Sequence, residues 1–214
     1  MQPYLFAHLP YYQLVAGTDL FVLFDDVQYI RRGWVNRNLI QEHGQSVRFT
    51  APVLGAGRDA DFRSVTFGNQ DALVRRLEMA YSRSPNFSVV MPIVRDILGS
   101  PERSVVDMVE YSIRRMFGYL GLPAALTRSS ALGIPADLRG QDRVLAICHK
   151  LGASTYVNAT GGRALYEAAA FAEIGIELRF IEGDGVAHLS IVHDLMTELA
   201  PTVAARLTEV RLVS

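Results

Sequence analysis

Apolar and polar positions along the chain change period several times. Residues 19–24, DLFVLF, form a short continuous apolar run that stops at Asp25 and Asp26. A run of this length, aromatic and branched and bounded by polar groups, predicts a buried strand. A second strand is predicted over SVRFTAPV, ending near Pro52, and the Gly- and Asp-rich LGAGRDADFRS at 54–64 reads as a loop.

Helical spacing dominates the middle. In NQDALVRRLEMAYS, Leu73, Leu77, Ala80 and Tyr81 share one face and Asn69 is placed to cap the helix. In SPERSVVDMVEYSIRRMFGYLGLP the stripe is Val105, Met108, Val109, Ile113, Met116, Phe117 and Leu120. Ser100 is the expected cap, Pro101 the first helical residue, and Gly121 and Pro123 the stop.

Short strands and helices then alternate: AALTRSS, DRVLAICHKLG, STYVNA, GRALYEAAAFAEIG and IELRFI. That order predicts crossover units with parallel strands. LSIVHDLMTELAPTVAARL reads as two short helices broken at Pro201. The expected fold is one α/β domain over 1–214: a mixed, mostly parallel sheet flanked by helices in three layers, Rossmann-like, with residues of about 69–122 as a helical insert.

Composition narrows the function classes. The chain has 214 residues, half of them apolar, with a formal net charge of -1, so bulk electrostatic binding to nucleic acid or an anionic membrane is not expected. The single cysteine, Cys148, cannot form an internal disulfide, and no apolar run has membrane-spanning length. A cytoplasmic protein is expected.

The densest chemistry follows the first strand. Asp25 and Asp26 leave it at the end where α/β sheets place ligands. They read either as a proton acceptor beside a substrate-orienting group or as a turn cap and an ion pair with Arg31, Arg32 or Arg37. Gln28, Trp34, Asn36, Arg37 and Asn38 add amides, a guanidinium and a flat ring, a set suited to a polar ring or an acidic group, although Trp34 also fits as an aromatic cover on a loop.

Other candidates carry competing readings. Gln2 and His8 lie among aromatic residues, and His8 is either a packing histidine or a base. Asn158 leaves a strand, and Gly161 and Gly162 make either an anion-binding turn or only a tight bend. TGG lacks GxGxxG spacing and a Walker lysine. Cys148 and His149 diverge around a helix, leaving Cys148 as a buried thiol or a nucleophile in a minor covalent route. His188 and His193 do not form a metal motif; no metal and no cofactor is expected.

QPYLFAHLPYYQL, DLFVLFDDVQYIRRGWVNRN, TAPV, LTRSS, ICHKLGASTYVNATGG, LY and GIELRF together resemble the WbqC-like family of bacterial proteins, from Gln2 to about Leu195. The resemblance implies work on polysaccharides or natural products: modification of an amino sugar or similar amine by an acyl or aminoacyl group. It carries over Gln2, Asp25, Asp26, Gln28, Trp34, Arg37, Asn38, Tyr156, Gly161 and Gly162 as the site. The first loop departs from the family, with Ala7, His8 and Pro10 where a proline, an aromatic residue and a glycine are usual. Apolar residues that form a first strand before Gln-Pro in the family are not present here, so either that strand is absent or the start lies upstream.

The expected activity is N-acyl or aminoacyl transfer from a thioester to a sugar amine or other small amine, with a carrier protein as a second partner. Asp25 or Asp26, with His8, would serve as base. Gln28, Asn38, Gly161 and Gly162 would steady oxygen charge, and Arg37 would hold an acid group. A glycosyltransferase is the alternative enzyme, although DD lacks the spacing of a metal-holding DxD. A non-catalytic sugar-binding or scaffold protein is the third reading. Donor, acceptor and oligomeric state stay open.

Overall fold

A computed structural model describes residues 1–101, 103–182 and 189–214. His188 therefore lies outside the described residues. In chain order the elements are α1 (Leu9–Ala16), β1 (Phe21–Leu23), β2 (Arg37–Glu42), β3 (Gln45–Thr50), β4 (Val53–Leu54), β5 (Thr66–Phe67), α2 (Asp71–Tyr81), α3 (Phe87–Leu98) and α4 (Val105–Leu120). There follow β6 (Leu126–Arg128), α5 (Gly140–Leu151), β7 (Thr155–Ala159), α6 (Ala168–Glu173), β8 (Glu177–Ile181), α7 (Ile191–Thr197), α8 (Ala200–Thr208) and β9 (Leu212–Val213).

The class is mixed α/β, but the described residues do not form the expected three-layer Rossmann-like sheet. The described strands make small separate sheets: β1 with β6 in parallel, β2 with β3 and β4 with β5 antiparallel, and β7–β8–β9. Within the last, β7 and β8 are parallel and joined through α6, while β9 runs antiparallel. A cleft of about 490 Å³ separates the sheets, with Phe21, Val22 and Phe24 on one wall and Thr155, Tyr156 and Val157 on the other. On the edge of β1 away from β6, Met1 continues the ladder: its amino group donates to the Val22 carbonyl at 2.7 Å and its carbonyl accepts from Phe24 N–H at 2.8 Å.

Local chemistry explains the helix ends. Gly121 sits at φ +69°, the left-handed turn that stops α4, a conformation in which a Cβ is strained. The start of α4 differs from expectation. Ser104, not Ser100, caps it, accepting from Asp107 N–H, because Arg103 and Val105 are drawn into backbone bonds with Phe67 and Val65. Asn69 stands one residue before the cap position of α2, yet its side-chain oxygen still accepts from Asp71 N–H at 2.8 Å.

Helices α2–α4 share one apolar cluster with the amino terminus and α8: Leu77, Val94 and Met116 lie with Phe6, Tyr12 and Val203. Full burial of each such side chain contributes about 1.5–3 kcal/mol before conformational entropy is subtracted. A smaller cluster of Val144, Cys148, Phe171 and Ile176 packs against Phe24, Tyr156 and Tyr166, tying the end of β1 to the β7–β8 unit. No helix among the described residues is long and apolar enough to cross a membrane.

Candidate functional site

The site begins where β1 ends. Register pairs Leu23 with Arg128, so the chain leaving β1 at Asp25 runs beside the chain leaving β6 at Ser129. Asp25 is 2 % exposed and both its oxygens are engaged. Oδ1 accepts from Ser130 N–H at 2.9 Å and from the Ser129 hydroxyl at 3.2 Å; Oδ2 accepts from the Ser130 hydroxyl at 2.5 Å. These bonds fix the short 3-10 turn Ser129–Leu132 that follows β6.

Asp26 is the more accessible acid. Its Oδ1 accepts from the Ser129 hydroxyl, and its Oδ2 accepts from Arg143 Nη2 at 2.6 Å. The Ser129 hydroxyl has one proton and faces both carboxylates. Arg143, on α5, keeps 4 % of its side chain exposed against 17 % for Asp26. Its Nε has no hydrogen-bond partner among the described residues. The acid's ion-pair partner is thus Arg143, not Arg31, Arg32 or Arg37. Arg63 is held charged chiefly by its hydrogen bond with Asp61, with further support from the charges of Asp25 and Asp26.

The loop beyond the acids divides the predicted residues into two groups. Asn36 and Asn38 are structural. Asn36 donates to the Ala51 carbonyl at 2.6 Å and accepts from the Tyr29 hydroxyl at 3.2 Å. Asn38 donates to the Phe6 carbonyl at 2.7 Å and accepts from Leu39 N–H at 2.8 Å. Phe6 stands at φ +48°, and its carbonyl also accepts from the Ser190 hydroxyl at 2.7 Å. The Asn38 amide that was expected to steady oxygen charge is therefore occupied in holding this turn. Gln28, Trp34 and Arg37 stay at the surface: Gln28 donates to the Arg58 carbonyl at 2.8 Å, Trp34 is 54 % exposed, and Arg37 borders a second cavity.

Gln2 joins the β1 end through its neighbour Met1, and its side chain accepts from the Tyr4 hydroxyl at 3.4 Å. His8 is exposed at the start of α1 and bridges to Ser190, beside β2. Tyr156 and Tyr166 hydroxyls lie 3.1 Å apart, and the Asn158 amide donates to both. Burial pushes the Tyr156 phenol well above its ordinary value. Gly161 and Gly162 lie inside a 3-10 helix, Thr160–Leu165, instead of opening an α-helix. A Cβ on Gly162 would come 3.2 Å from the Asn158 amide nitrogen, so the glycine makes room for that amide.

Cys148 lines the large cleft as an apolar residue, 5 % exposed, with its thiol pushed up to about 11 by burial. A thiol so rarely ionised is a poor nucleophile. No cluster of three His, Cys, Asp or Glu side chains suited to a metal occurs among the described residues.

The β1 acids, the QPYLF segment and the turn after β7 are thus linked through Met1, Phe24 and the Tyr156–Tyr166 pair, while neither acid lines the large cleft. The WbqC-like protein family model matches residues 2–191. The chain belongs to the WbqC-like protein family. An uncharacterized protein of Mycobacterium tuberculosis, Rv1507c, is 27 % identical to this WbqC-like chain over 180 residues, covering 82 % of the chain and 77 % of the relative. No solved structure matches it.

Sequence reasoning missed Ser129, Ser130, Arg143 and Tyr166 in this WbqC-like chain. Arg143 carried a usable signal: a lone arginine within the apolar face of DRVLAICHKL, next to Val144 and one turn before Ile147, needs a buried acid. The two serines are too common after a strand to stand out.

Proposed function

We propose that this WbqC-like protein transfers an acyl or aminoacyl group from a thioester to the amine of an amino sugar or another small amine. The observation that carries the reading is Asp26. It is a carboxylate at the carboxyl end of a parallel strand, partly open to solvent, with its geometry set by Ser129 and Arg143. As the amine nitrogen bonds to the thioester carbonyl, its proton passes to Asp26. The carbon–sulfur bond then breaks and the leaving thiolate takes that proton from Asp26, which restores the carboxylate. Arg143 holds Asp26 in place, and Gln28 is the nearest surface amide along the chain for orienting the sugar.

The test is mass spectrometry of mixtures of candidate amines with acyl and aminoacyl thioesters. Amide product formed by the wild-type chain and lost in Asp26→Asn, with unchanged circular dichroism, supports the reading. Equal product from both proteins removes Asp26 from the chemistry.

A second reading, sugar binding without turnover, is favoured by the engagement of both Asp26 oxygens, by Ser129 and by Arg143. Under it, amino-sugar binding weakens in Asp26→Asn while no thioester yields product.

A further inference from the structure

Beyond the acids the chain runs through Ile30–Asn36, and the composition of this stretch changes sharply. Arg31, Arg32 and Arg37 fall within seven residues that contain no acidic side chain. All three border one cavity of about 240 Å³, together with Tyr29, Asn36, Val53 and Ala56. Bringing like charges to one concave surface is unfavourable unless something negative offsets them. Among the described residues no carboxylate forms an ion pair with any of these three guanidinium groups. The nearby acid Asp61 is taken by Arg63 at 2.7 Å.

The arginines are also arranged to leave donors available. Arg32 adopts φ +61°, uncommon for a side chain with a Cβ, and its carbonyl accepts from Arg37 Nη1 at 3.2 Å. That bond orients the Arg37 guanidinium, while Arg31 and Arg32 are exposed. Tyr29 forms the adjoining wall, held by its bond to Asn36. The result is a fixed guanidinium flanked by two exposed ones.

We infer that the cavity bordered by Arg31, Arg32 and Arg37 binds a phosphoryl group, most fittingly a diphosphate or phosphate ester carried by a small molecule. A single carboxylate leaves two of the three positive charges uncompensated, whereas a doubly or triply charged phosphoryl group answers them and offers several oxygens to planar donors. The near-neutral net charge of the chain argues for a small molecule over a nucleic-acid strand. Asp26 and Arg31 are five residues apart, at most about 18 Å of extended chain. One ligand can therefore place its phosphate at the arginines and its reactive part near Asp26. The inference itself concerns binding and stands without the transfer reaction.

Calorimetric titration of the full chain with inorganic pyrophosphate tests it, with sodium acetate as control. Saturable pyrophosphate binding that weakens as salt is raised, at least tenfold tighter than acetate, is the expected result. Arg31→Gln/Arg32→Gln, both at exposed positions, and Arg37→Gln singly should each weaken it tenfold or more. Their urea midpoints identify any variant that has failed to fold, and the exposed pair serves as the decisive variant if Arg37→Gln does so. No binding at millimolar pyrophosphate, or equal binding by wild type and the exposed-pair variant, overturns the inference. Competition by coenzyme A and by its 3′-dephospho form, which keeps the diphosphate, but not by uridine diphosphate, places the phosphate on a thioester donor. Competition by uridine diphosphate places it on a nucleotide-linked sugar.

Discussion

Arg143 Nη2 donates to Asp26 Oδ2 across 2.6 Å, joining α5 to the end of β1 through a pair that water barely reaches. Removing one partner from such a pair leaves a poorly solvated charge. Arg143→Met is therefore expected to destabilise the fold by about 3–5 kcal/mol. Adding Asp26→Asn should recover part of that loss, as read by urea unfolding of the two singles and the double. Additive losses would show that the two groups do not interact.

Asn38 anchors the opposite side of the same stretch. Asn38→Ala removes one of two side-chain donors from the Phe6 carbonyl, with an expected cost of about 1–3 kcal/mol. Equilibrium denaturation measures it. An unchanged midpoint would show that Ser190 alone holds the turn.

His193 gives a pH dependence. Burial lowers its pKa, partly opposed by Glu198, and its Nδ1 lies 3.3 Å from the Tyr81 hydroxyl. Below its ordinary value of 6.5 the unfolded chain binds the proton more readily than the folded one. Its contribution is thus fully present above pH 6.5 and is lost as pH falls from there through the lower folded value. Chemical denaturation from pH 7.5 to 5.5 should show a smaller decline in His193→Gln than in wild type.

Cys148 should be unreactive in the folded state. With the thiol raised to about 11, fewer than roughly one in a thousand is ionised at pH 7.5. Iodoacetamide labelling followed by mass spectrometry should be slow in buffer and fast in urea. Native labelling as fast as that of a free thiol would contradict the burial.

Local pattern made much of this fold legible. The α4 stripe, its stop at Gly121, β1 and the β7–α6–β8 unit all follow from spacing and turn residues. Failures came where distant pairing overrode local preference. Ser100–Pro101 has the form of a helix start, but Ser104 bridges to Thr66 in extended form and delays it. In GRALYEAAAFAEIG, Tyr166 turns inward onto Tyr156 and Phe171, splitting one expected helix into a 3-10 turn and α6.

The candidate site behaved in the same way. Asp25 and Asp26 were visible as acids ending an apolar run. Their partners were not, because Ser129 and Arg143 lie 103 and 117 residues from Asp26 and no local rule links them. Asn36 and Asn38 have the look of ligand groups because an isolated amide gives no hint that a carbonyl elsewhere awaits it.

The clamp on the Phe6 carbonyl has a consequence for the order of synthesis. Its Ser190 donor is 184 residues downstream, and Gln13 bonds to the Arg206 carbonyl 193 residues away. A ribosome releases the amino-terminal turn long before either partner exists. Such sequence-distant closure slows folding. The bonds of the amino-terminal segment to Val22, Val35 and Asn38 are available early in synthesis, whereas those to Ser190 and Arg206 close only once these residues have emerged.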